Sequence, residues 1–196
     1  MKSKLAIIML LVISVCACLA GCGDGKTAAD IEGEYVLGEV WVEKESMSDE
    51  LAYNVDELDG IEDADLKECL TQIAAIYSQY KCSIKVTEKN DVKIESYELT
   101  NDGKWATVYA HTSTVYFKEE SPNSYYMDVP DSARGDFLGG YYNTVGLRVD
   151  VRDDAYYVSV SHSSYNYFGI PSPVDRVYSM TYNYYLAGAK YVKVAN

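Results

Sequence analysis

Val145-Gly146-Leu147-Arg148-Val149-Asp150-Val151-Arg152-Asp153-Asp154 is the stretch of this 196-residue chain from which the fold can be read. Its apolar residues alternate with charged or small ones at a period of two, the pattern of a strand with one buried face. Asp153-Asp154 then turns the chain into 155–161, which makes the pair an antiparallel hairpin.

The same grammar extends in both directions. Upstream, Cys82, Ile84 and Val86 alternate with Ser83, Lys85 and Thr87, and Asn90-Asp91 turns the chain into 92–99. Thr100-Asn101-Asp102-Gly103 leads into a strand over 105–111, and a further pair covers 114–119 and 125–129 across Ser121-Pro122-Asn123. Downstream, a long strand is predicted over 176–186, then a break at Ala187-Gly188-Ala189 and a closing strand over 191–194. Near the start, Tyr35, Val36, Val40, Trp41 and Val42 mark a first strand from Gly33 to Glu43. Many short strands joined by tight turns predict a mainly β chain, an antiparallel meander closing into a barrel or, failing that, a two-sheet sandwich.

Between the first strand and the meander the period changes. Leu66, Cys69, Leu70, Ile73, Tyr77 and Tyr80 recur at steps of three and four, and Glu62, Asp63 and Asp65 crowd the first turn, where they complement the helix dipole. The spacing predicts an amphipathic helix reaching Tyr80 and a shorter one over 49–58, a helical insertion of about 48–80. The acidic cluster here does not fit a calcium loop. With Gly60 in the sixth place, the first and twelfth ligand positions fall on Val55 and Leu66, neither of which has a side-chain oxygen.

The N-terminus carries an address. Lys2 and Lys4 precede an apolar run from 5 to 20, and Leu19-Ala20-Gly21-Cys22 follows. This end resembles the signal peptide and lipobox of bacterial lipoproteins. The resemblance implies that residues 1–21 are removed, that Cys22 receives a diacylglycerol, and that the mature chain is extracytoplasmic and held on the membrane. Two acyl chains anchor stably, since each buried methylene contributes about 0.8 kcal/mol. Residues 23–30 are small and polar and read as a flexible tether of about 16 Å, with one β-rich domain over 31–196.

Composition narrows the partners. The predicted signal takes two of 17 basic residues and none of the 30 acidic ones, so the mature chain carries a net charge of about −15 by counting. That charge disfavours nucleic acid and anionic headgroups, so attachment is assigned to the lipid. With Cys22 acylated, Cys69 and Cys82 remain outside the signal. They form a disulfide only if the helix ends early; otherwise they are two small buried hydrophobes.

One strand, a helical insertion and then a β-meander resembles the small lipocalin-like domains of bacterial lipoproteins. Gly33-Glu34-Tyr35 stands where lipocalins have Gly-x-Trp. The resemblance implies a barrel whose mouth or interior receives a small apolar ligand.

The chain has 20 tyrosines. Adjacent pairs such as Tyr125-Tyr126 and Tyr156-Tyr157 must send one ring inward and one outward from a strand. Outward tyrosines suit sugars, peptides and protein surfaces, or simply satisfy strand propensity on a half-wet sheet. The aromatic loop over 161–175 and its rival over 130–142, which includes Phe137, are the candidate binding loops. Trp41, Trp105 and Tyr109, with Tyr165, Tyr167 and Phe168, form the candidate ligand-facing set. His111 and His162 lie in no zinc-spaced cluster, and no nucleophile elbow or phosphate loop occurs. The expectation is therefore a noncatalytic, cofactor-free binding module for a small apolar ligand or an envelope component. The alternatives are a hydrolase of a cell-wall or extracellular polymer, and a protein-interaction or inhibitor module.

Overall fold

The structure is a computed structural model that describes residues 25–43, 50–128, 137–139, 146–163 and 186–195. The segments expected to hold the signal peptide, Cys22, Tyr165, Tyr167 and Phe168, and all but Leu186 of the strand expected over 176–186, lie outside the described residues.

Among the described residues nine strands form one antiparallel sheet: β1 (Gly33–Glu43), β2 (Glu50–Asn54), β3 (Tyr80–Glu88), β4 (Asp91–Leu99), β5 (Trp105–Tyr116), β6 (Ser124–Asp128), β7 (Gly146–Arg152), β8 (Ala155–Ser163) and β9 (Leu186–Lys193). From β3 to β9 each strand pairs with the next, and β9 returns to β1 from Tyr35↔Lys193 to Glu43↔Leu186. Eight strands thus close a barrel, which decides against the sandwich. The other edge of β1 is shared. Gly33 to Tyr35 pair with β3, and Glu39 to Glu43 pair with β2.

The helix α1 (Ala64–Tyr77) fills the interval between β2 and β3. Asp63 caps it, its carboxylate accepting from the N–H groups of Asp65 and Leu66. Leu66, Cys69, Leu70, Ile73 and Tyr77 are buried, the stripe that the sequence spacing predicts. Two helical expectations are corrected. Residues 50–54 form β2 because Leu51 and Tyr53 alternate with exposed Glu50, Ala52 and Asn54, and Tyr80 begins β3 beyond the Ser78 cap. Cys69 and Cys82 are free, fully buried thiols, so the candidate bridge does not form; Cys69 lies two helical turns before the end of α1 while Cys82 sits on the barrel wall.

Two strand boundaries also differ from expectation. β5 is one strand over Trp105–Tyr116 where the sequence suggested two. Ala187-Gly188-Ala189 lies inside β9, where a break was expected. At the β7–β8 hairpin, Asp153 and Asp154 both adopt positive φ (50° and 63°), the type I′ geometry that matches strand twist.

The inner wall is apolar. Tyr35, Ile84, Ile94, Met127, Leu147 and Tyr191 are each under 2% exposed, and burying an aliphatic side chain of this size contributes about 1.5–3 kcal/mol. The barrel base lies where β1 starts. There the 3-10 turn Ala28–Ile31 closes it: Tyr35 Oη donates to Ile31 O (2.8 Å), Tyr125 Oη to Asp30 Oδ2 (3.1 Å) and Lys193 Nζ to Asp30 O (2.8 Å). Ordered structure therefore begins before Ile31. The opposite end, where β1 reaches Glu43, is the rim. The helix α1 packs on β1 and β9, with Tyr77 edge-on to Tyr191 at 6.5 Å and the Tyr191 hydroxyl donating to Tyr77 O.

Candidate functional site

The described members of the candidate aromatic set, Trp41, Trp105 and Tyr109, do not converge. Trp41 and Trp105 lie on the outer surface in different places, and Tyr109 points into the barrel.

Trp105 and Tyr109 are four residues apart on β5, so strict alternation would put them on one face. A bulge reverses that. Ser96 pairs with Tyr109 and Tyr97 with Thr107, leaving Val108 as an extra residue on β5. Tyr109 therefore joins the inner wall. Directly across from Val92, Ile94 and Ser96 stand Ser113, His111 and Tyr109, a polar strip in an otherwise apolar interior.

Phe137 and Leu138 cover one end of that strip. They enter from the rim, 3% and 0% exposed. The Phe137 ring meets Tyr109 edge-on at 5.4 Å, and the Leu138 N–H donates to Ser96 Oγ at 3.4 Å. Leu138 sits in the left-handed region (φ 54°, ψ 37°), a conformation that costs a bulky residue on the order of 1–3 kcal/mol. The Tyr109 hydroxyl is buried and has no hydrogen-bond partner among the described residues, and burial raises its pKa. Ser113 Oγ, by contrast, donates to Asp128 O at 2.9 Å.

Trp41 lies on the outside of β1, flat against Gly188 of β9. It is 7% exposed and its indole N–H has no partner among the described residues. Beside it, Glu39 is buried and ion-paired to Arg152 and to Lys190 (3.3 Å), and Lys190 also pairs with Glu50 (2.5 Å). The Arg152 guanidinium covers the Tyr157 ring at 4.7 Å. Trp41, Glu50, Arg152, Tyr157 and Lys190 line a groove of about 400 Å³.

Trp105 lines a larger outer groove of about 590 Å³ with Tyr97, Lys81, Ser83, Lys85 and Glu34. Period two on β3 could have found it: Lys81, Ser83 and Lys85 share the face opposite Cys82 and Ile84. The tyrosine pairs divide as their strands require. Tyr125 is buried while Tyr126 stacks on Tyr116 outside at 5.7 Å, and Tyr156 faces Tyr125 while Tyr157 carries Arg152.

No group of three or more metal-ligating side chains occurs among the described residues. The carboxylates of Glu34, Glu39, Glu50 and Asp150, which lie in or beside the two grooves, each have a cationic partner.

No family model matches this chain, and no curated protein matches it. Among solved structures it is similar to the siderocalin Ex-FABP, said to function through dual ligand specificities. That likeness has 8% identity and a TM-score of 0.25, over 84% of this chain and 74% of the other. The barrel assignment rests on the strand pairing alone.

Proposed function

We propose that this chain is an exported, lipid-anchored binding module whose barrel takes a small, largely apolar ligand at its rim, in the space held by Phe137 and Leu138. The observation that carries the reading is the Tyr109 hydroxyl, buried without a partner beside that apolar turn. Leaving such a group unpaired costs about 1–3 kcal/mol. The strained backbone of Leu138 adds to the cost of the closed state. A ligand with an apolar body and one hydrogen-bonding head would replace the turn, release the strain and satisfy Tyr109. The lipobox resemblance of Leu19 to Cys22 supplies the anchor and the extracytoplasmic location.

The reading is tested on residues 25–196, titrated with the fluorescent fatty acid cis-parinarate. Saturable binding is expected, weakened several-fold by Tyr109→Phe. Phe137→Ala is expected to tighten it, because the protein then spends more time with the space open. Absence of saturable binding, or binding indifferent to both substitutions, would remove the interior as a ligand site.

A further inference from the structure

The outer groove at Trp105 is built differently from the barrel interior. Trp105 is 41% exposed at the start of β5. Its ring is fixed by charge rather than by burial: Lys81 Nζ lies 4.8 Å from the ring centroid and 5.7 Å from that of Tyr97, and the same ammonium is ion-paired to Glu34. The Tyr97 hydroxyl donates to Glu95 Oε2 (3.2 Å) and lies 3.0 Å from Ser83 Oγ. Glu95 in turn pairs with Lys93 (2.9 Å) and Lys85 (3.5 Å). The aromatic platform therefore stands next to an interlocked set of donors and acceptors on the rigid wall of three strands.

We propose that this groove is a carbohydrate-binding surface, in which a sugar ring stacks on the exposed indole of Trp105 and its hydroxyls bond to the Lys81–Glu34 pair, Ser83 and Lys85. The chemistry selects this class in three ways. A flat aromatic ring matches the apolar C–H face of a pyranose. Adjacent ammonium and carboxylate groups offer donors and acceptors side by side, which suits a hydroxyl that does both. An anionic ligand would compete with Glu34 and Glu95 for their lysines, and an apolar one would strand those ion pairs from water. The groove lies on the outer wall, so it is accessible to a sugar residue within a longer glycan. This inference does not rest on the interior reading.

The full chain in phospholipid nanodiscs is tested against chitotetraose, cellotetraose and lysozyme-solubilised peptidoglycan strands, using saturation-transfer NMR and calorimetry. At least one of the three is expected to bind, with contact signals on the indole protons. Trp105→Ala is expected to weaken that binding by about tenfold or more, as for a central aromatic anchor. Lys81→Met is expected to weaken it less, and Tyr109→Phe to leave it unchanged, which separates this groove from the interior. Trp105 is a surface residue, and an unaltered thermal transition in Trp105→Ala verifies folding. Failure of all three glycans to bind, or binding that Trp105→Ala changes by less than about twofold, overturns the proposal.

Discussion

The indole of Trp41 occupies the space that a side chain at Gly188 would need. A β-carbon built on Gly188 would fall 2.5 Å from both Cε2 and Cζ2 of Trp41 and 2.3 Å from the carbonyl oxygen of Val160. The two residues face each other across the β1–β9 pairing that closes the barrel. The small residues at 187–189 are there for fit. Ala187 and Ala189 face a crowded interior, and Gly188 lets the largest side chain of β1 lie flat on the outer wall.

Gly188→Ala is therefore expected to destabilise the barrel by roughly 1–3 kcal/mol, the usual range for overpacking. Trp41→Ala should relieve only part of this, because the Val160 carbonyl remains in the way. Urea denaturation of the two single variants and the double variant measures the coupling. A Gly188→Ala protein with an unchanged midpoint would mean that Trp41 and Gly188 are not packed as described.

Three buried tyrosines should answer differently to loss of the hydroxyl. Tyr35 donates to Ile31 O and Tyr191 to Tyr77 O, whereas Tyr109 has no partner among the described residues. Tyr35→Phe and Tyr191→Phe are each expected to cost about 0.5–1.5 kcal/mol. Tyr109→Phe is expected to be neutral or stabilising by up to about 1 kcal/mol, since it removes an unpaired polar group. Urea midpoints at constant slope give the comparison; a loss in Tyr109→Phe matching the other two would show that its hydroxyl is bonded in solution.

Much of the barrel was legible because period two survives translation into structure wherever one face of a strand is buried. β1 spans the predicted Gly33 to Glu43, and the helix buries its predicted stripe. The failures have local causes. Around 49–58 the Leu51–Tyr53–Val55 alternation is short and set among acidic residues, so it passed for part of the helical insertion. In β5 the inward Ser113 broke the apolar rhythm, so one strand looked like two. The candidate site was less legible. Trp41, Trp105 and Tyr109 were grouped by residue type, and the bulge at Val108, which sends two of them to opposite faces, depends on pairing with β4 and has no signature within β5.

Stability should fall on the alkaline side. Burial raises the thiol pKa of Cys69 from 9.0 to about 12 and also pushes Cys82 upward; Tyr35, Tyr109 and Tyr191 are raised for the same reason. In the unfolded chain these groups lose their protons near their ordinary values, while the folded barrel keeps them. The unfolded state thus binds fewer protons above about pH 9, and stability drops as pH rises. Each group steepens the fall by about 1.4 kcal/mol per pH unit within its window, the thiols from about pH 9 and the tyrosines from about pH 10. The melting temperature should be insensitive to these groups below pH 9 and decline between 9 and 12, with both thiols unreactive toward a disulfide reagent at pH 8 until urea unfolds the chain. Rapid thiol labelling of the native protein would contradict the burial.

The proposed anchor makes a prediction about orientation. Lys26 already contacts the barrel base, its Nζ 5.7 Å from the Tyr125 ring, and Thr27 bonds to Asp30 in the turn that closes the base. Three residues, and so four steps of the chain, separate Lys26 from Cys22, a reach of at most about 14 Å. A lipid on Cys22 would therefore hold the base near the bilayer, with the rim and the Phe137–Leu138 turn facing away. Cys22→Ala should release the protein from the membrane fraction into the extracytoplasmic soluble fraction; continued attachment would overturn the lipobox assignment. In the lipidated protein, a fluorophore at position 123 in the base turn should be quenched by headgroup-labelled lipids. One at position 101 in the rim turn, about 30 Å further along strands rising ~3.3 Å per residue, should not be. Equal quenching at both positions would show that the tether does not orient the barrel, even if the lipid holds it on the membrane.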